Sequence, residues 1–200
     1  MDEETLQKLK RAFLDSYDPP RGATTPKQIA LANAIITAVR RNPTYSRDIT
    51  LLQKSEAVNF WKEEIEKRGE KYLQTPQAIE TYTNDVLEMR AAINKKFAGV
   101  LQNSVSSGIR IAHCQKSLSI YLKYMWCQGI STATPPACPI DRVVLTHCGI
   151  FDIAWTRLDK VDEFNNILKQ IESTKNTSVC HSSIAEWELC IFNLSNHRQY

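Results

Sequence analysis

Apolar positions along the chain recur every three to four residues, the spacing of one helix face, and no alternation with a period of two is sustained anywhere. Residues 3–16 put Leu6, Leu9, Phe13 and Leu14 on one stripe before Asp18-Pro19-Pro20 breaks the pattern. Thr25-Pro26 reads as an N-cap followed by a first-turn proline, whose missing N–H costs nothing there. The helix it opens carries Ile29, Ala32, Ile36 and Val39 inward and is closed by Asn42-Pro43. A segment of about 56–69 with Val58, Trp61 and Ile65 stops at Gly69. Thr75-Pro76 repeats the start signal for a long helix to about Phe97, with Ile79, Tyr82, Val86, Met89 and Ile93 as its inner face.

A Ser-rich loop, Asn103 to Gly108, precedes an apolar helix of roughly 111–128 with Leu118, Leu122 and Met125 along one side. Three prolines punctuate the linker from Gly129 to Pro139, and a short helix starts at Asp141. Amphipathic stretches of about 159–173 and 182–195 complete the chain. The fold expected is all-α: a two-lobed bundle of about eight helices in one domain spanning 1–200. Residues 1–100 would form a helical lobe and 105–195 a core in which a helix, turn and helix carry the chemistry.

Composition narrows this rather than changing it. With 6 Gly and 8 Pro in 200 residues, and 42% hydrophobic residues, the chain is neither disordered nor turn-rich and has enough apolar mass for a core. No apolar run is long enough to span a bilayer, and the acidic start Met1-Asp2-Glu3-Glu4 is unlike a signal peptide, so a soluble, cytoplasmic protein is expected. The six cysteines, at 114, 127, 138, 148, 180 and 190, include no CxxC pair and read as reduced core thiols. No metal site and no cofactor are implied.

The net charge of +3 says little, but its distribution is uneven. From Arg90 to His147 stand seven basic residues (Arg90, Lys95, Lys96, Arg110, Lys116, Lys123 and Arg142) and one acid, Asp141. Such a stretch suits a surface that meets phosphates and reserves one anion for chemistry, and equally suits an unevenly solvated face.

Asp141 follows the Pro139-Ile140 turn and precedes an apolar helical run, which is where an N-cap belongs. A carboxylate there faces the positive end of the helix dipole and stays ionised. It is aimed to stabilise positive charge on a sugar as a glycosidic bond breaks. Lys116, upstream on an apolar helix, is placed where desolvation favours a nucleophilic amine, and Lys123 lies two turns further on a similar face.

The run Pro139-Ile140-Asp141-Arg142-Val143-Val144 resembles the Pro-hydrophobic-Asp-x-x-hydrophobic signature of the helix-hairpin-helix DNA glycosylases. The order of Lys, apolar helix, proline turn and Asp is most similar to the divergent archaeal 8-oxoguanine glycosylase branch. So are the acid-rich helix and the Trp-bearing terminal helix that follow. The similarity covers about residues 105–195. It implies Asp141 as the catalytic acid, Lys116 as the amine that attacks the sugar in bifunctional members, and double-stranded DNA as the partner of a monomer. The usual Leu-Pro-Gly-Val-Gly hairpin is replaced by Ser107 to His113, and the Lys-to-Asp spacing is longer than in common members.

On this reading Arg110, Lys123, Arg142 and Gly108 contact the DNA backbone. Trp126, Tyr121, Trp187 and His113 are candidates for a pocket holding the extruded base between the two helical halves. The substrate would be an oxidised purine, or a hypermodified phage base such as glucosylated hydroxymethylcytosine removed in defence. The competing reading is a non-catalytic all-α module for DNA or protein binding, in which Asp141 is only a cap and the aromatic residues are core. A metal-dependent nuclease fits less well, because Asp141 has no acidic companion nearby in sequence.

Overall fold

Each periodic segment is a helix in the computed structural model, which describes residues 1–40, 44–101, 108–177 and 182–196. Among them are eight α-helices and no strand: α1 Glu3–Asp15, α2 Pro26–Val39, α3 Leu51–Gly69, α4 Ile79–Phe97, α5 Ile111–Cys127, α6 Arg142–His147, α7 Val161–Asn176 and α8 Ile184–Asn196. The Asn42-Pro43 stop, residues 103–107 of the Ser-rich loop and Cys180 lie outside the described residues. One continuous apolar core runs from Phe13 to Ile191, so the two expected halves share their interior. No described helix is long and apolar enough to cross a membrane.

Local signals set most boundaries. Thr25 accepts a hydrogen bond from the Gln28 N–H while Gln28 reaches back to the Thr25 N–H, a reciprocal cap that starts α2; Thr50 and Gln53 repeat it for α3. The second Thr-Pro signal fails. The α4 helix begins at Ile79 rather than behind Thr75, because the preceding chain is held elsewhere. The Thr132 N–H donates to the Leu73 carbonyl at 2.8 Å, and the Ser131 hydroxyl to the same carbonyl at 3.0 Å. Tertiary ties override a local start signal there.

The inner face of α2 also differs from expectation. Ile36 is exposed, and the buried face is Ala30, Leu31, Ala34, Ile35 and Ala38. Both faces of α2 are apolar, so periodicity alone does not choose between them. The alanines win because small side chains let two backbones approach closely, and α2 packs most extensively against α5.

The α5 helix is the axle of the fold. All seventeen of its residues are buried, with α1, α2, α3 and α4 packed against it. An expected one-sided apolar stripe is therefore wrapped on every side. Its polar residues survive there because nearly all find a partner, the Tyr121 hydroxyl being the exception. Ser117 accepts from the Trp61 indole N–H at 3.0 Å, and Ser119 lies 2.6 Å from the Tyr82 hydroxyl. At Gly69 the Tyr121 ring comes so close that an added Cβ would lie 2.5 Å from its Cε1.

Candidate active site

Two consecutive residues of α5 grip two consecutive residues of the proline turn. The Gln115 carboxamide donates to the Ile140 carbonyl at 3.0 Å and accepts from the Ile140 N–H at 3.0 Å. This double bond to the backbone fixes the turn in register with α5, so the next residues meet: Lys116 Nζ donates to Asp141 Oδ2 at 2.7 Å. The other carboxylate oxygen, Oδ1, accepts from the Val144 N–H at 3.1 Å, which makes Asp141 the N-cap of α6 as expected.

Burial of the pair is asymmetric. The Lys116 side chain is 6% exposed and that of Asp141 26%, so the carboxylate forms the solvent-facing end. Partial burial raises the Asp141 pKa; the Lys116 ammonium and the Val144 N–H outweigh it and hold the carboxyl below its ordinary value. The Trp155 ring, partly exposed, lies 5.6 Å from Lys116 Nζ. Sequence reasoning singled out neither Gln115 nor Trp155. A glutamine beside a lysine in an apolar helix was the available signal for the first; Trp155 offered none.

A second buried ion pair stands two turns further along α5. Lys123 Nζ donates to Glu188 Oε2 at 2.5 Å, both side chains at most 4% exposed, with the ammonium 4.2 Å and 4.4 Å from the Phe13 and Phe192 ring centres. Lys123 is therefore an interior residue and offers no contact to a phosphate. Its carboxylate partner on α8 is what makes burial affordable.

The remaining anticipated contacts divide sharply. Arg110 turns inward, and its guanidinium donates to the Thr156 carbonyl at 2.9 Å. The Gly108 N–H donates to the Leu101 carbonyl at 2.6 Å, and the first amides of α5 are taken as well. Ile111 N–H goes to Asp159 Oδ1 at 3.1 Å and Ala112 N–H to the Leu158 carbonyl at 2.9 Å. No phosphate-gripping turn is on offer there. What Gly108 does instead is structural: its φ of +97° and its contact with Asn94, 2.4 Å from any added Cβ, admit only glycine. Arg142 is exposed at the start of α6 and remains available to an anion.

The expected base pocket is filled. Trp126, Tyr121 and Trp187 are all buried in the core, and Lys10 stacks 4.1 Å over the Trp126 ring. His113 is fully buried; its Nδ1 accepts from the Arg110 N–H at 3.1 Å and Nε2 meets Thr44 Oγ1 at 3.2 Å. Burial, with the Arg110 charge nearby, lowers its pKa to about 4. The basic stretch is thus no groove, because its lysines 116 and 123 and Arg110 are spent inside.

The chain matches no protein-family model, no curated protein and no solved structure. The site must be read from its own geometry. Two cavities stand out among the described residues. One of about 640 Å³ lies between α4 and α7, and one of about 220 Å³ lies between the α1–α2 turn, α2 and α3; neither is lined by Lys116 or Asp141. Among the described residues no three His, Cys, Asp or Glu side chains converge on a metal position. Of the six cysteines, 114, 127, 138 and 148 are buried free thiols and 190 is a partly buried one.

Proposed function

We propose that the chain is a DNA glycosylase that cleaves the bond between a base and its sugar, with Asp141 as the catalytic carboxylate and Lys116 as its amine partner. The observation that carries this reading is the 2.7 Å contact between the two, held in register by Gln115 and Ile140. A carboxylate kept ionised and partly open to solvent suits the positive charge that develops on the sugar as the C1′–N bond breaks and its electron pair leaves with the base. Water attacking C1′ would give an abasic site. Attack by the Lys116 amine, its proton passing to Asp141 or water, would instead form a C1′–N bond and then a Schiff base that allows strand cleavage. The base would be an oxidised purine or a hypermodified phage base, the latter in a defence role.

Double-stranded DNA would be met on the Asp141 side, where Arg142 is exposed. The extruded base would be received on the solvent-facing side of Asp141, beside the partly exposed Trp155. Borohydride trapping on DNA with an abasic site tests the lyase branch: a covalent adduct is expected from the wild type and none from Lys116→Gln. Mass spectrometry of bases released from normal, oxidised and phage DNA tests excision itself; no released base from any of the three overturns the reading.

A second reading has its own support. Asp141 already has a structural task as the cap of α6, and the pair lies outside both cavities. On this reading the chain is a non-catalytic all-α DNA-binding or protein-interaction module. Asp141→Asn separates the two: the enzyme becomes folded, DNA-binding and inactive, whereas the module keeps its binding with only a changed melting temperature.

A further inference from the structure

The 640 Å³ cleft between α4 and α7 has a size typical of small-ligand sites. Its floor is apolar, formed by Ile79, Leu168, Ile184 and Pro136. The Tyr82 ring of α4 and the Phe164 ring of α7 lie 6.5 Å apart in the core. The α7 wall is one helix face, Asn165, Leu168, Lys169 and Glu172, at the spacing of three and four residues. The α4 wall adds Glu80, Thr83 and Asn84, with Gln77 just before the helix.

The hydrogen bonds already made leave a polarity in this cleft. Gln77 spends its N–H donors on the Lys71 and Thr75 carbonyls, so its free atom is the acceptor Oε1. Thr83 spends its proton on the Ile79 carbonyl at 3.0 Å and likewise has only acceptor capacity left. At the rim stand two carboxylates, Glu80 and Glu172, against one amine, Lys169, and none of the three is in an ion pair. Asn165, half-buried in the α7 wall, has no hydrogen-bond partner for either end of its carboxamide. Acceptors thus outnumber donors around an apolar body: Glu80, Glu172, Gln77 and Thr83 accept, Lys169 donates, Asn84 and Asn165 each offer a side-by-side donor and acceptor, and the acidic balance of the rim disfavours phosphate.

We infer that this cleft binds an amino-bearing nucleobase or nucleoside without its phosphate. An exocyclic amine meets Glu80 or the Gln77 and Thr83 oxygens; the ring lies on Ile79 and Leu168; and Asn165 pairs with a ring nitrogen and its neighbouring N–H. The inference is independent of the excision reading, since the cleft and the Lys116–Asp141 pair share no residue.

The test is calorimetric titration of the full chain with adenosine, cytidine, uridine, adenosine 5′-monophosphate and spermidine. Saturable binding of adenosine or cytidine is expected. Uridine, which lacks the exocyclic amine, and the monophosphate should each bind about tenfold more weakly or worse. Asn165→Ala and Glu80→Gln should each reduce nucleoside affinity by about tenfold while circular dichroism and melting temperature stay unchanged, because Glu80 is exposed and Asn165 only half-buried. Leu168→Trp, which fills the floor, should abolish binding. No saturable nucleoside binding overturns the inference, as does equal binding of the monophosphate, binding of spermidine alone, or affinity indifferent to Asn165→Ala.

Discussion

Removing one partner of the Lys116–Asp141 pair should cost about as much as removing both charges. Lys116→Met leaves a carboxylate that is about three-quarters covered, with the Val144 N–H as its remaining close partner. Asp141→Asn keeps the cap, since Asn caps as well as Asp, but strands the Lys116 ammonium in a site where it is 6% exposed. Fully buried pairs lose about 3–5 kcal/mol when one partner goes, and exposed pairs about 0–1 kcal/mol. The intermediate exposure of Asp141 places each single variant at about 2 kcal/mol, or a fall of roughly 4–8 °C in melting temperature for a chain of this size. In the double variant no uncompensated charge is left. Its cost should also be about 2 kcal/mol, a coupling of about 2 kcal/mol between the sites.

Urea unfolding of the four proteins at pH 7 measures that cycle, and repeating it toward pH 3 adds a sign. The Asp141 pKa is lowered in the folded state, so its stabilising contribution is present above the ordinary value of 3.8 and is lost as pH falls through the lower folded value. In Lys116→Met, burial acts without the ammonium to oppose it, and the carboxyl protonates at higher pH. The gap between wild type and Lys116→Met should therefore narrow as the solution is acidified. Additive single variants costing less than about 0.5 kcal/mol, with a gap that ignores pH, would refute a partly buried ion pair.

Two further outcomes concern the interior and a third the exposed Arg142. His113 is buried neutral with its pKa lowered to about 4, so the folded state binds fewer protons than the unfolded one between about pH 6.5 and 4. Its stabilising contribution is complete above that window and shrinks by up to ~3 kcal/mol as pH falls through it. His113→Gln should flatten that part of the stability profile measured by urea unfolding. Gly69→Ala forces a Cβ to within 2.5 Å of the Tyr121 ring and should lower stability by about 1–3 kcal/mol; an unchanged melting temperature would show that the ring has room to move. If the chain binds duplex DNA on its Asp141 side, Arg142→Ala should weaken binding similarly for all sequences and reduce the slope against log salt by about one. Lys123→Met, inside the core, should leave that slope untouched.

The sequence carried the helices well and the surfaces badly. Capping residues are local chemistry, so Thr25-Gln28 and the Asp141 start of α6 could be read directly. The false start at Thr75 and the shifted inner face of α2 were decided by partners far along the chain, Thr132 for one and α5 for the other. The meeting of Lys116 with Asp141 was legible because an apolar helix and a proline turn leave few places for two opposite charges. What a one-dimensional charge count hid was that lysines in a helix wrapped on every side turn inward if a carboxylate awaits them. Glu188 is separated from Lys123 by 65 positions, so no local window contained that answer.

The enclosure of α5 also has a consequence for synthesis. A ribosome that has reached Gly129 has synthesised the central helix with both of its ammonium groups, but neither Asp141 nor Glu188 has yet been translated. Until they arrive, a helix that is buried along its whole length lacks the partners that let it settle, and the emerging N-terminal half cannot complete a native interior by itself. Chains stalled or truncated in the proline linker should accordingly be recognised by chaperones and proteases, while chains released after α8 should not.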